Sequence, residues 1–232
     1  MTASADPRLI VGLDLPDVGA ARAMVERLGE AVSAYKIGLT LLAVGEGVGF
    51  ARELRDRGLF VFQDWKLHDI GAQVEGAARS VAEGGCDLLT VHAEPQVMRA
   101  AVKGRGSDST KIVGVTVRTS LSDADLVDMG YAESAAALVE RRVRQAIDSG
   151  LDGVVASPLE AARVREIAGP DFLIVTPGVR PAGADKGDQQ RVSTPADALR
   201  AGATHLVVAR PVLAAADPKA AAASILEEMR GV

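Results

Sequence analysis

The segment FQDWKLHDI concentrates the residues best able to do chemistry. Asp64 and Lys66 stand two positions apart, and Asp69 follows three positions later. In an extended strand, residues at i and i+2 share a face, so a carboxylate and an ammonium would enter one pocket. Asp69 lies past the strand, where the chain should turn into a helix. From there it would complete an acid–lysine–acid array within the subunit or reach across an interface. A surface charge pair is the plainer alternative, but the apolar residues on both sides place these charges at a core boundary. Nearby negative charge favours the ammonium form of a lysine, so Lys66 reads as a proton donor and not as a Schiff-base nucleophile.

A second signal is TPGVRPAGADKGDQQRV, rich in glycine and proline, with VVARPV further on. Arg180 or Arg210 has the planar fork that grips a phosphate bidentately, and the N–H groups around Ala209 and Arg210 would add a helix N-terminal dipole. These features indicate a phosphorylated ligand, with a purely structural loop as the alternative. Asp14 in IVGLDLPD and Lys36 in YKIG form a further polar pair suited to sugar hydroxyls. His68 and His92 could be read as metal ligands, but they have no HxH or HExxH spacing, so the reading is a site without metal.

Such groups need a scaffold that brings them together. Short runs rich in Val, Ile and Leu recur with longer alanine-rich amphipathic stretches between them, as buried parallel strands and their crossover helices do. The strands are expected over Leu9–Leu15, Ala34–Gly38, Leu59–Trp65, Leu88–His92, Ile112–Val117, Gly153–Ala156, Phe172–Thr176 and His205–Ala209. Helical patterns cover Val18–Leu28, Thr40–Arg57, Val74–Glu83, Ser134–Ser149, Leu159–Ile167 and Ala196–Ala201, with a last helix after Asp217. Eight βα units in 232 residues predict a single TIM (β/α)8 barrel domain over 1–232. In a barrel of this kind the site lies at the carboxyl ends of the strands, which is where the polar residues fall. Trp65 should face the other side of its strand and pack against helices.

Composition narrows the function classes. The chain is 48% hydrophobic and 25% charged, an ordinary balance for a globular protein. A net charge of −5 argues against a sequence-independent nucleic-acid binder, which needs a basic face. The single cysteine, Cys86, rules out an intramolecular disulfide and reads as a packed core thiol. No apolar run approaches the roughly 18 residues of a membrane span, and the N-terminus lacks a secretory pattern, so the expected location is the cytoplasm.

Taken together, GLDLPD, YKIGL, DWKLHDIG, VTVRTSL, TPGVRPAG with GDQQRV, and VVARPV resemble the successive motifs of the orotidine 5'-monophosphate decarboxylases. The resemblance spans nearly the whole chain. The DxKxxDI core is shared with related sugar-phosphate decarboxylases and synthases, and the TPGxRPxG loop followed by DQ narrows the match. It implies a homodimeric enzyme of de novo pyrimidine biosynthesis that converts orotidine 5'-monophosphate to UMP and carbon dioxide without a cofactor. By the same resemblance Lys66 donates a proton to ring carbon six, and Asp64 sits against the departing carboxylate. Asp69, Ile70 and Gln73 are then contributed across the dimer interface. Asp14 and Lys36 hold the ribose hydroxyls, and Thr119 and Ser120 lie by the pyrimidine edge. Gln189, Arg210 and the N–H groups beside Ala209 hold the phosphate, with Arg180 in the closing loop from Pro181 to Asp188.

Three positions depart from the family pattern. Gln73 stands where threonine is usual, Ala209 where glycine is usual, and Gly71 makes DIG of the commoner DIP. Two alternatives stay open. One is a metal-using ketogulonate-phosphate decarboxylase or hexulose-phosphate synthase, against which the long TPGVRPAG loop argues. The other is a non-catalytic nucleotide-binding barrel.

Overall fold

The computed structural model describes residues 5–181 and 193–232. Among them, eight strands form a closed parallel barrel in chain order: β1 (Leu9–Gly12), β2 (Ala34–Ile37), β3 (Phe60–Leu67), β4 (Leu88–His92), β5 (Lys111–Val115), β6 (Gly153–Val155), β7 (Leu173–Pro177) and β8 (His205–Val208). Closure is direct, with Leu9, Ile10 and Val11 of β1 in register with Leu206, Val207 and Val208 of β8. The expected TIM barrel is the observed fold.

Helices fill the connections: α1 (Val18–Leu28), α2 (Leu39–Ala43), α3 (Gly47–Asp56), α4 (Gly71–Glu83), α5 (Pro95–Arg105), α6 (Asp123–Asp128), α7 (Ala135–Asp148), α8 (Ala161–Ala168), α9 (Pro195–Arg200), α10 (Arg210–Leu213) and α11 (Pro218–Arg230). Local chemistry explains several starts. Asp17, Ser134, Thr194 and Asp217 each accept a backbone N–H from the first turn of the helix they precede, which satisfies a donor that has no partner inside the helix.

One expected element is corrected. The pattern over Thr40–Arg57 reads as one helix, but the chain breaks into α2 and α3 at Gly45, whose φ of 83° lies in the left-handed region. Apolar periodicity persists across the break because both helices face the same core, so period alone does not reveal it.

The barrel interior is filled from every strand: Ile10, Ala34, Phe62, Leu88, Val113, Val175 and Val207 pack together, with Val155 of β6 against them. The outward strand faces pack under helices in two further layers, one on the β8-β1-β2-β3 side and one on the β4 to β7 side. Cys86 belongs to the second layer. Burial pushes its thiol up to about 12, as suits a core residue. The inward side chains of the strands fill the barrel interior, and in folds of this kind the ligand site lies at the carboxyl-end mouth.

Candidate active site

At that mouth four charges alternate in sign. Lys36 Nζ lies 2.9 Å from Asp14 Oδ1 and 3.5 Å from Asp64 Oδ2, and Lys66 Nζ lies 2.7 Å from Asp64 Oδ1. Strand positions set this order. Lys36 is on β2 and Asp64 and Lys66 on β3, whereas Asp14 lies two residues past the end of β1, which is shorter than the sequence suggested. Gly38 makes room for the pair: a Cβ there would come within 3.1 Å of Lys36 Nζ and 3.3 Å of Asp14 Oδ1.

Burial by itself would raise the Asp64 carboxyl. The charges of Lys36 and Lys66, and hydrogen bonds from Lys66 and Thr90, outweigh it and hold Asp64 below the usual carboxylate range. Asp64 is therefore ionised at neutral pH. A partly buried carboxylate flanked by two ammonium groups presents a cavity with fixed, opposed charges, able to bind an anion and to transfer a proton.

Lys66 does not sit in a regular strand. Its φ is 51°, and among the described residues it is the only non-glycine with positive φ. Such a backbone costs about 1–3 kcal/mol and clusters at functional sites. The expected shared face nevertheless holds: Phe62, Asp64 and Lys66 all line the cavity, and Trp65 turns outward to pack in the β4 to β7 layer. The indole N–H of Trp65 is buried there with no hydrogen-bond partner among the described residues.

The cavity at the mouth has a volume of about 170 Å³. Lys36, Asp64 and Lys66 occupy one part of its wall. Val115, Val117, Val155, Val175, Pro177 and Val207 supply an apolar remainder that suits a planar ring. Thr119 and Arg118 also line it; Arg118 lies inside the VTVRTSL motif, yet its part in the wall was not read from sequence. Ser120 is exposed on the same loop.

Asp69 is not part of the charge array. It is exposed, and its Oδ1 accepts the N–H of Ile70 at 2.6 Å, so the option of an acid–lysine–acid array within one chain gives way. Beyond β3 the chain has already turned away toward α4, which carries Asp69, Ile70 and Gln73 onto the exposed surface. Arg180 follows β7 and donates from Nη1 to Val179 O. Ala209 and Arg210 open α10 directly after β8. Gln189 lies outside the described residues, as does the loop between Pro181 and Asp188.

His68 and His92 come together, with ring centroids 4.5 Å apart, and His68 Nε2 lies 2.9 Å from Glu94 Oε1. Burial, with His68 beside it, holds His92 below the usual histidine range. This trio lines a neighbouring cavity with Tyr131 and Arg142. Among the described residues, no group of three or more His, Cys, Asp and Glu is arranged to hold a metal ion.

The family model described as "Orotidine 5'-phosphate decarboxylase / HUMPS family" matches residues 7–225. The chain belongs to this family. An orotidine 5'-phosphate decarboxylase of Caulobacter vibrioides is 66% identical over 233 residues, covering 99% of this chain and all of that one. One of Methylobacterium radiotolerans is 54% identical over 231 residues, with the same coverage. The crystal structure of orotidine 5'-phosphate decarboxylase from Lactobacillus acidophilus superposes with a TM-score of 0.84 at 34% identity, covering 97% of this chain and 99% of that one. Family membership and fold thus agree with the resemblance carried by the motifs.

Proposed function

We propose that this chain decarboxylates orotidine 5'-monophosphate to UMP, without metal or cofactor, in de novo pyrimidine biosynthesis. The observation that carries the reading is the alternating array Asp14–Lys36–Asp64–Lys66 at the mouth of an otherwise apolar cavity. The family and the relatives named for this reaction support it.

The bond between ring carbon six and the carboxylate breaks, and its electron pair stays on the ring carbon. No conjugated electron sink accepts that charge, so it has to be stabilised by fixed charge nearby. The Lys66 ammonium does this and gives its proton to the same carbon; solvent then reprotonates the lysine. The ionised Asp64 faces the departing carboxylate and adds repulsion that is relieved as carbon dioxide leaves. The acceleration lies toward the top of the roughly 8–23 kcal/mol that enzymes supply, mostly from electrostatics arranged in advance.

Asp14 and Lys36 hold the ribose hydroxyls, Thr119 and Ser120 the pyrimidine edge, and Gln189, Arg210 and the backbone at Ala209 the phosphate. Arg180 belongs to the loop that closes over it. Phosphate binding, remote from the reacting carbon, supplies energy for that closure.

The active unit is a homodimer in which Asp69, Ile70 and Gln73 reach the partner's cavity. Supporting this, Ile70 is 65% exposed, and Leu39, Val127, Met129 and Leu159 are also exposed in segments that follow strand carboxyl ends. Exposed apolar side chains in several of the segments beyond the strand carboxyl ends suit a protein interface. No helix among the described residues is long and apolar enough to cross a membrane. Action on a free nucleotide in the cytoplasm fits that observation.

The test is the fall in ultraviolet absorbance when chelator-treated protein meets orotidine 5'-monophosphate. Conversion to UMP is expected. Binding without turnover would favour a non-catalytic nucleotide-binding barrel, and neither binding nor turnover would point to metal-dependent action on sugar phosphates.

A further inference from the structure

Strands β3 and β4 fall out of step beside the site. Gln63 is in register with Leu89 and Leu67 with Val91, so three residues of β3, Asp64, Trp65 and Lys66, stand opposite one residue of β4, Thr90. The surplus chain is taken up in part by the positive φ of Lys66. A bulge of this kind removes the ladder partners of the residues within it. Thr90 supplies the missing one: its Oγ1 accepts the Lys66 backbone N–H at 2.9 Å.

The same hydroxyl donates to Asp64 Oδ1 at 3.0 Å, the oxygen that also accepts from Lys66 Nζ at 2.7 Å. A hydroxyl has one proton, and a backbone N–H can only donate, so the direction of both bonds is fixed. Thr90 is 0% exposed, so the hydroxyl is cut off from bulk solvent.

We infer that Thr90 is a positioning residue for the reaction. One hydroxyl fixes the Lys66 backbone and the Asp64 carboxylate together, and so sets the geometry between the proton donor and the acid beside it. This rests on the decarboxylation reading above. Thr90→Val keeps the shape and the β-branch but leaves the Lys66 N–H without an acceptor and Asp64 with one donor fewer. Thr90→Ser keeps the hydroxyl and loses only a methyl group.

Both variants are assayed beside the parent for kcat, KM and the pH profile of kcat/KM. Thr90→Val is expected to lower kcat by about 10–100-fold, as small misplacements in a catalytic pair do, and to change KM far less. The donor it removes favours ionised Asp64, so the acid limb of the profile should move to higher pH. Thr90→Ser should stay within about threefold of the parent, less than 1 kcal/mol of barrier.

Thr90→Val equal to the parent with an unmoved acid limb, or Thr90→Ser falling as far as Thr90→Val, would overturn the inference. If Thr90→Val does not fold, Thr90→Cys makes the same contrast with Thr90→Ser, because a thiol is a weak hydrogen-bonding group of similar shape. A second readout does not depend on turnover. The Asp64 carboxyl, titrated by carbon-13 NMR, should ionise at higher pH in the variant lacking the hydroxyl, and no change would sink the inference even in an active enzyme. A parent without turnover would instead overturn the decarboxylation reading.

Discussion

The two ends of the barrel use polar residues in opposite ways. At the amino end, the side chains of the residues just before β4, β6 and β8 are bonded to backbone. Asp87, before β4, accepts the Val61 N–H at 2.8 Å and donates its own N–H to Val61 O. Asp152, before β6, does the same with Ile112, and Thr204, before β8, with Ile174. Each such residue ties its strand to the one before it at two points. At the carboxyl end, Asp14, Lys36, Asp64 and Lys66 bond chiefly to one another around an open cavity. Side chains that tie one strand's backbone to the next serve stability, even where Asp87 and Asp152 also pair with Arg55 and Arg105, whereas charges that meet one another around an open cavity are available for chemistry.

Substitutions at the two ends should therefore separate activity from stability. Lys66→Ala should lower kcat by at least about 10³-fold, the combined scale of a lost general acid and a lost electrostatic stabiliser, and leave the melting temperature nearly unchanged. Activity within about tenfold of the parent, roughly 1.4 kcal/mol of barrier, would remove Lys66 from the proton-donor role.

Asp152→Ala should do the reverse. Its carboxylate also pairs with Arg105 and, at 3.2 Å, with Lys111. Removal leaves the Ile112 N–H without its side-chain acceptor and the Arg105 guanidinium with Thr110 O in place of a carboxylate, at a cost of about 2–4 kcal/mol. Denaturant unfolding measures that loss, and a kcat also reduced more than about threefold would blur the division between the two ends. Thr204→Val should cost less, about 1–2 kcal/mol, because only neutral hydrogen bonds are lost. A stability loss larger than that of Asp152→Ala would reverse the order drawn from charge.

The smallest effect concerns pH. Burial holds both His92, at the carboxyl end, and His205, at the amino end, below the usual histidine range. The unfolded chain then binds more protons, so stability should be full above the unfolded value of about 6.5 and decline as pH falls below it. His205→Gln should flatten part of that decline in thermal melts without altering kcat. A decline as steep as the parent's would show that other groups carry it.

Much of this was legible in the residues. Strand and helix periods, the spacing of Asp64 and Lys66, and polar residues at strand ends were enough for the barrel and for the place of its mouth, because period 2 and period 3.6 are local properties of the chain. Thr90 was legible in principle, as a hydroxyl in the middle of the apolar run LLTVH, but its role was not. That role depends on the step lost between β3 and β4, and register between strands is a property of the pair.

The same limit explains the other differences. The break at Gly45 hides inside one continuous apolar period, and the position of Asp69 depends on how soon the chain leaves β3. The sequence by itself determined which residue types stand where along each strand and helix, and hence the fold class and the supply of charges. Only the tertiary structure decided which charges meet, because Asp14, Lys36 and Asp64 come from three separate βα units and approach within hydrogen-bonding distance only when barrel closure sets the stagger of their strands.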